Sequence, residues 1–297
     1  MERNVVKLST LRKRCRLKER PIYYFIPAIL VLGVLSVYPL INNIYLSLTT
    51  SSGKFELSNY TCLFADKWFW NSLITSLKWL MITVVGELAV GILLASLINL
   101  KVKGTKFFRT ILMMPWMTPM IAVCTVWAWM YNSDFGILSY LVNSFFHTDI
   151  RFLSNPKMTL FWLAVVYIWK RSSFVMLMYL SGLQGISEDV YDACKVDGAS
   201  RIRQFFSVTL PLMIPVLRSL MLISIITSLN QFTIAYSIMN GGPARSTELI
   251  QMYIYNIGIA GFQYNYGAAA STSFLAVVLI LAVLYISGTS KAEEGIY

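Results

Sequence analysis

Glu87, Lys170 and Arg171 stand where charge is costly. Each falls inside a long apolar run, and an ionised group held in hydrocarbon costs about 2.5–3.5 kcal/mol on insertion scales unless it is paired or wet. Their types permit charge pairing: Glu87 is expected to pair with Lys170 or Arg171, or the two basic residues line an aqueous pathway. In the same kind of run, Trp169, Tyr179, Asn230, Phe232 and Tyr236 supply ring faces, phenols and an amide. Such groups can stack on and hydrogen-bond a solute, and they serve equally as packing or as interfacial anchors.

Catalysis finds little material here. His147 is the single histidine, and Cys15, Cys62, Cys124 and Cys194 lie in different segments with no paired spacing. Neither a disulfide framework nor a metal site is indicated, and no residue is assigned a catalytic role. The sequence carries no Gly-rich loop of the kind that cradles phosphates.

The elements that position these side chains are membrane spans. Apolar residues make up 57% of the 297 and charged residues 13%. No charge occurs from Pro21 to Gly53, from Thr110 to Ser133 or from Ser219 to Ala244, and each gap exceeds the roughly 20 residues that cross a bilayer core. Six segments follow: Ile22–Leu46, Leu73–Leu100, Phe107–Met130, Thr159–Leu183, Leu212–Tyr236 and Tyr264–Ser287. They are too long for barrel strands and lack period-2 alternation, so the fold class is all-α integral membrane. The prolines Pro115, Pro119 and Pro211 are expected to kink or open these helices.

Lys and Arg gather in residues 1–20 and at Lys101, Lys103, Lys106, Arg109, Lys195, Arg201, Arg203 and Lys291. That bias puts both termini in the cytoplasm of a multi-pass membrane protein. The net charge of +11 is then a basic rim facing anionic lipid, and no nucleic acid is invoked. The first run is preceded by basic residues, like a signal peptide; it is too long for a cleaved segment and is read as a retained span. The expected division is a basic cytoplasmic segment over 1–20, a transmembrane domain over 21–289 and a cytoplasmic tail over 290–297.

Between the fourth and fifth spans, residues 183–213 hold two short helices joined at a turn. Ser187 can cap the first, with Glu188 and Asp189 at its positive dipole end, and Val190, Ala193 and Cys194 fall on one face. Gly198 can end it in a left-handed conformation, and Ser200 can cap a second helix carrying Ile202, Phe205, Phe206 and Thr209. An acidic outer face of this kind suits docking in a groove of a soluble partner while the apolar side stays against the spans. A solvated loop that happens to be helical fits the same pattern.

Asp192-Ala193-Cys194, then Gly198, then Val208-Thr209-Leu210-Pro211 resembles the EAA signature of permeases in binding-protein-dependent ABC importers. Asp192 stands for the usual Glu, Cys194 for the second Ala and Val208 for the usual Ile. The resemblance implies a type I ABC importer permease fold whose loop is a coupling helix seated in a cytoplasmic ATPase. Glu188, Asp189, Asp192, Ala193, Cys194, Asp197, Gly198, Leu210 and Pro211 are then the ATPase-coupling residues.

Phe108-Arg109-Thr110 with Met114-Pro115, Trp127, Phe135-Gly136, Tyr140, Trp169-Lys170 and Leu183-Gln184 resemble the carbohydrate branch of that family. Asn230-Gln231-Phe232, Tyr236, Gly241-Gly242-Pro243, Thr247 and Tyr266-Gly267-Ala268-Ala269 are similar to F-type subunits of maltose-like, multiple-sugar and glycerol-3-phosphate importers. The resemblance implies sugar uptake, and alternating access is the expected mechanism; by their side-chain chemistry Trp169, Lys170, Tyr179, Asn230, Phe232 and Tyr236 are the expected substrate pathway. It implies as partners a second homologous permease, two cytoplasmic ATPase subunits that use the ATP and Mg, and an extracytoplasmic solute-binding protein. This chain itself is expected to bind no cofactor. The alternatives are an ion-coupled secondary sugar transporter or an ABC permease for a non-sugar solute.

Overall fold

In the computed structural model the described residues are 22–50, 52–100, 104–147 and 150–294. The basic segment 1–20, Lys101, Lys103 and the end of the tail lie outside them. Helices account for nearly all regular structure among the described residues: α1 Ile22–Leu32, α2 Tyr38–Ser47, α3 Ser58–Ala65, α4 Lys67–Asn99, α5 Thr105–Met117, α6 Met120–Met130 and α7 Ile137–Phe146. After them come α8 Thr159–Leu183, α9 Glu188–Val196, α10 Arg201–Gln204, α11 Leu210–Leu212, α12 Ile214–Leu229, α13 Ile250–Ile254 and α14 Tyr264–Glu294. Wide π-turns at Gly33–Val37 and Phe205–Thr209 join α1 to α2 and α10 to α11.

Four uninterrupted helical stretches are long and apolar enough to cross a bilayer, and two sharply bent pairs bring the total to six. The expected spans are corrected in three places. The second begins at Lys67 and not Leu73, because Asp66 caps it by accepting the Trp68 N–H at 2.8 Å. The third is broken: α5 and α6 meet at 95°. A residue before proline avoids the helical region, so Thr118 takes φ −71°, ψ 133° ahead of Pro119 and the chain turns. The fifth is bent by 69° near Met213 and ends at Leu229, short of Tyr236.

The scaffold is the long α4 packed along α8. Its close approach needs small residues: a Cβ added to Gly91 would meet Val175 side-chain carbons at 2.5 Å. Around this pair lie three buried clusters, centred on Trp79 with Tyr167, on Phe69 with Tyr253, and on Tyr179 with Met213. Outward faces are apolar, as in Val34, Leu35, Met81, Val85, Val283 and Leu284, which is the surface a lipid-facing helix presents. At the end remote from α9, the Tyr253 hydroxyl donates to Asp66 at 2.6 Å. Burial first, and then that carboxylate, hold the Tyr253 phenol well above its ordinary pKa.

Candidate coupling loop and solute pathway

The loop between α8 and the fifth span folds as its residue chemistry dictates. The Ser187 hydroxyl accepts the Asp189 N–H and the Ser200 hydroxyl accepts the Arg203 N–H, satisfying donors that every helix start leaves open. Glu188 and Asp189 fill the first turn of α9 and Lys195 its last, each sign facing the favourable dipole end. Gly198 turns the chain at φ +71°, with open space where a side chain would stand. Glu188, Asp189, Asp192, Ala193, Asp197 and Gly198 are exposed, and Cys194 is half-buried.

The inward face of α9 differs from expectation. Val190 and Ala193 are exposed, while Tyr191 and Cys194 turn toward the bundle. A 100° rotation per residue puts 191 and 194 on one side, and the Tyr191 hydroxyl lies 3.2 Å from that of Thr209, tying α9 to the second arm. Ile202 and Phe206 are also exposed, so the loop presents apolar as well as acidic surface. Leu210 is half-buried and Pro211 opens α11.

Charges inside the spans are resolved in different ways. Glu87, fully enclosed in α4, lies 3.4 Å from Arg171 of α8, whose other arm reaches the Thr227 hydroxyl of α12 at 3.2 Å. One turn away, the hydroxyls of Thr83 and Ser228 are 2.6 Å apart. Lys170 takes no part in this network. Its ammonium turns to the carbonyls of Pro115, Trp116 and Thr118.

The proposed pathway residues separate into two groups. Phe232 stacks on Tyr236 at 4.8 Å and 22°, and Tyr255 stands edge-on to both at 5.2 and 5.6 Å. Asn230 is exposed just past the end of α12, where the helix has unwound, and its amide accepts from Gln251 at 3.4 Å. Trp169 is 42% exposed and meets Trp127 at 5.5 Å. Tyr179 is corrected: it is completely enclosed in the core near Met213 and faces no open space. Lys170 likewise offers no free donor.

Residues 87–290 match the family model described as the binding-protein-dependent transport system inner membrane component. The chain belongs to this family. The trehalose/maltose transport system permease protein MalF of Thermococcus litoralis is 28% identical over 92% of this chain and 95% of that one. The sulfoquinovosyl glycerol transport system permease protein SmoG of Agrobacterium fabrum is 33% identical over 88% of this chain and 87% of its own. A chain in the crystal structure of a bacterial alginate ABC transporter, bound to its periplasmic protein with an alginate pentasaccharide, superposes with a TM-score of 0.83. That likeness covers 92% of this chain and 94% of the other at 20% identity, and it shows the shared fold.

As an inner membrane transport component, the chain is a multi-pass membrane protein. Two members of the aromatic and amide cluster escaped the sequence reading, Gln251 and Tyr255. They are four apart and so share a helix face, a spacing that marks them as a pair but does not say what they meet. Thr227, the second acceptor of Arg171, was also missed, since a hydroxyl in an apolar helix bonds its own backbone by default, as Thr227 does at the Ile223 carbonyl.

Proposed function

We propose that this permease subunit imports a saccharide or sugar derivative by alternating access, driven by ATP hydrolysed in separate cytoplasmic subunits. The single observation that carries the reading is the exposed helix–Gly198–helix loop, capped at Ser187 and Ser200 and joined to α8 by the short turn over 184–187 and, through Phe205–Thr209, to α11. A soluble partner that gripped α9 would pull on two spans at once. Its exposed acids and the apolar Val190, Val196 and Ile202 are what a groove-bound helix needs.

The saccharide class is supported by relatives named for trehalose/maltose and sulfoquinovosyl glycerol and by the chemistry of the cluster. Ring faces at Phe232, Tyr236 and Tyr255 suit the C–H faces of a sugar, and Asn230 and Gln251 suit its hydroxyls. The complete importer in this reading holds a second homologous permease chain, two ATPase subunits that bind ATP and Mg, and an extracytoplasmic binding protein. The loop 184–209 and both chain ends face the cytoplasm. This chain binds no cofactor of its own.

Reconstitution in proteoliposomes tests the reading. Labelled sugar is expected to accumulate only with ATP, the ATPase subunits and the binding protein all present. Uptake driven by a proton or sodium gradient without the ATPase would replace the reading with an ion-coupled transporter. ATP-dependent uptake of glycerol 3-phosphate but no sugar would keep the importer and overturn the saccharide class.

A further inference from the structure

Lys170 is buried mid-span and makes no ion pair among the described residues. Its ammonium has three protons, and each has an acceptor: the carbonyls of Pro115 at 3.0 Å, Trp116 at 2.9 Å and Thr118 at 2.5 Å. These are groups that the break between α5 and α6 leaves open. A helix end has no internal donors for its last carbonyls, and the residue that would serve Pro115 is Pro119, which has no N–H. The Met114 carbonyl, by contrast, is already taken by the N–H and hydroxyl of Thr118. A cation is also what the negative end of α5 favours. One side chain on α8 thus closes the 95° elbow.

The elbow lies between the two regions that transport has to connect. At the near end of α5, Thr105, Lys106 and Arg109 wall a cavity whose other side is Glu188, Tyr191 and Asp192 of the coupling loop. Beyond the bend, α6 packs on residues 235–239, which carry Tyr236. There its Trp127 meets Trp169, the neighbour of Lys170 in α8.

Resting on the importer reading above, we infer that Lys170 is a positioning residue for coupled transport. It pins the end of α5 and the linker residue Thr118 to α8 and thereby holds the elbow that leads into α6, so that displacement of α5 by the coupling loop reaches Trp127 and Tyr236 as one rigid movement. With its donors spent on backbone carbonyls it does not bind the solute.

The test uses the complete importer in proteoliposomes and reads solute moved per ATP hydrolysed. Lys170→Met is expected to leave ATP turnover running while that ratio falls about fivefold or more, the scale of a lost coupling free energy. A native ratio in Lys170→Met overturns the inference. A second measurement does not depend on how that variant folds. Spin labels replace the exposed Thr110 on α5 and Thr125 on α6 in an importer with native Lys170. Their separation is expected to shift by no more than about 2 Å between the nucleotide-free and ATP-trapped states, as within a moving rigid body. A larger change overturns the lock. An unsubstituted importer that shows no ATP-driven uptake at all would instead remove the importer reading on which the inference stands.

Discussion

Arg171 Nε lies 3.4 Å from Glu87 Oε2 across the contact between α4 and α8. Removing one partner of a buried pair strands the other, which costs about 3–5 kcal/mol. Glu87→Gln and Arg171→Met are therefore each expected to lower the yield and melting temperature of the purified complex. The exchange Glu87→Arg with Arg171→Glu is expected to recover part of the loss. Native melting and transport in both single variants would contradict the pairing.

At Gly91 the same helices touch backbone to side chain. Overpacking costs about 1–3 kcal/mol, so Gly91→Val is expected to lower the melting temperature of the complex by several degrees. Gly33→Val serves as the control, since nothing lies within 4 Å of a side chain there. Equal melting of the two variants would show that α4 and α8 are not so closely packed.

Asp192 pairs with Lys195 at 2.7 Å, with both side chains about two-thirds exposed. An exposed pair contributes little to stability, so Asp192→Ala is expected to melt within about 0.5 kcal/mol of the native chain. Loss of ATPase subunits on affinity purification is nevertheless expected, because the exposed carboxylate belongs to the proposed docking surface. Full retention of the ATPase would remove Asp192 from the docking surface.

Phe232, Tyr236 and Tyr255 form one aromatic group. Losing a ring from a stacked contact costs about 0.5–1.5 kcal/mol beyond its buried area. Tyr255→Ala is expected to slow sugar uptake roughly three- to tenfold on that basis, while binding-protein-stimulated ATP hydrolysis continues. Uptake unchanged in Tyr255→Ala and Phe232→Ala together would take the cluster out of the solute's path.

What the sequence made legible follows from how local each cause is. The fourth span is Thr159–Leu183 in both readings, since Asn155-Pro156-Lys157 and Gln184-Gly185 mark its ends by composition alone. The loop was legible because Ser187, Gly198 and Ser200 act on their own neighbours. The partner of Lys170 was not, because its acceptors are backbone carbonyls, which leave no mark in residue type. Prolines 115 and 119 announce a break, but the 95° angle depends on how α5 rests on α8. The meeting of Asn230 with Gln251 and of Phe232 with Tyr255 depends on how residues 232–250 return past the unwound end of α12, and no local pattern encodes it.

Crosslinking at residue 193 tests the central claim most directly. Ala193 is exposed on α9, so Ala193→Cys, with Cys194 replaced by Ala, is expected to crosslink to the ATPase subunit in inverted membrane vesicles. The yield is expected to change between nucleotide-free and ATP-bound states. Labelling of that cysteine only from the extracytoplasmic side, or no crosslink to any ATPase in a complex that transports, would contradict the account.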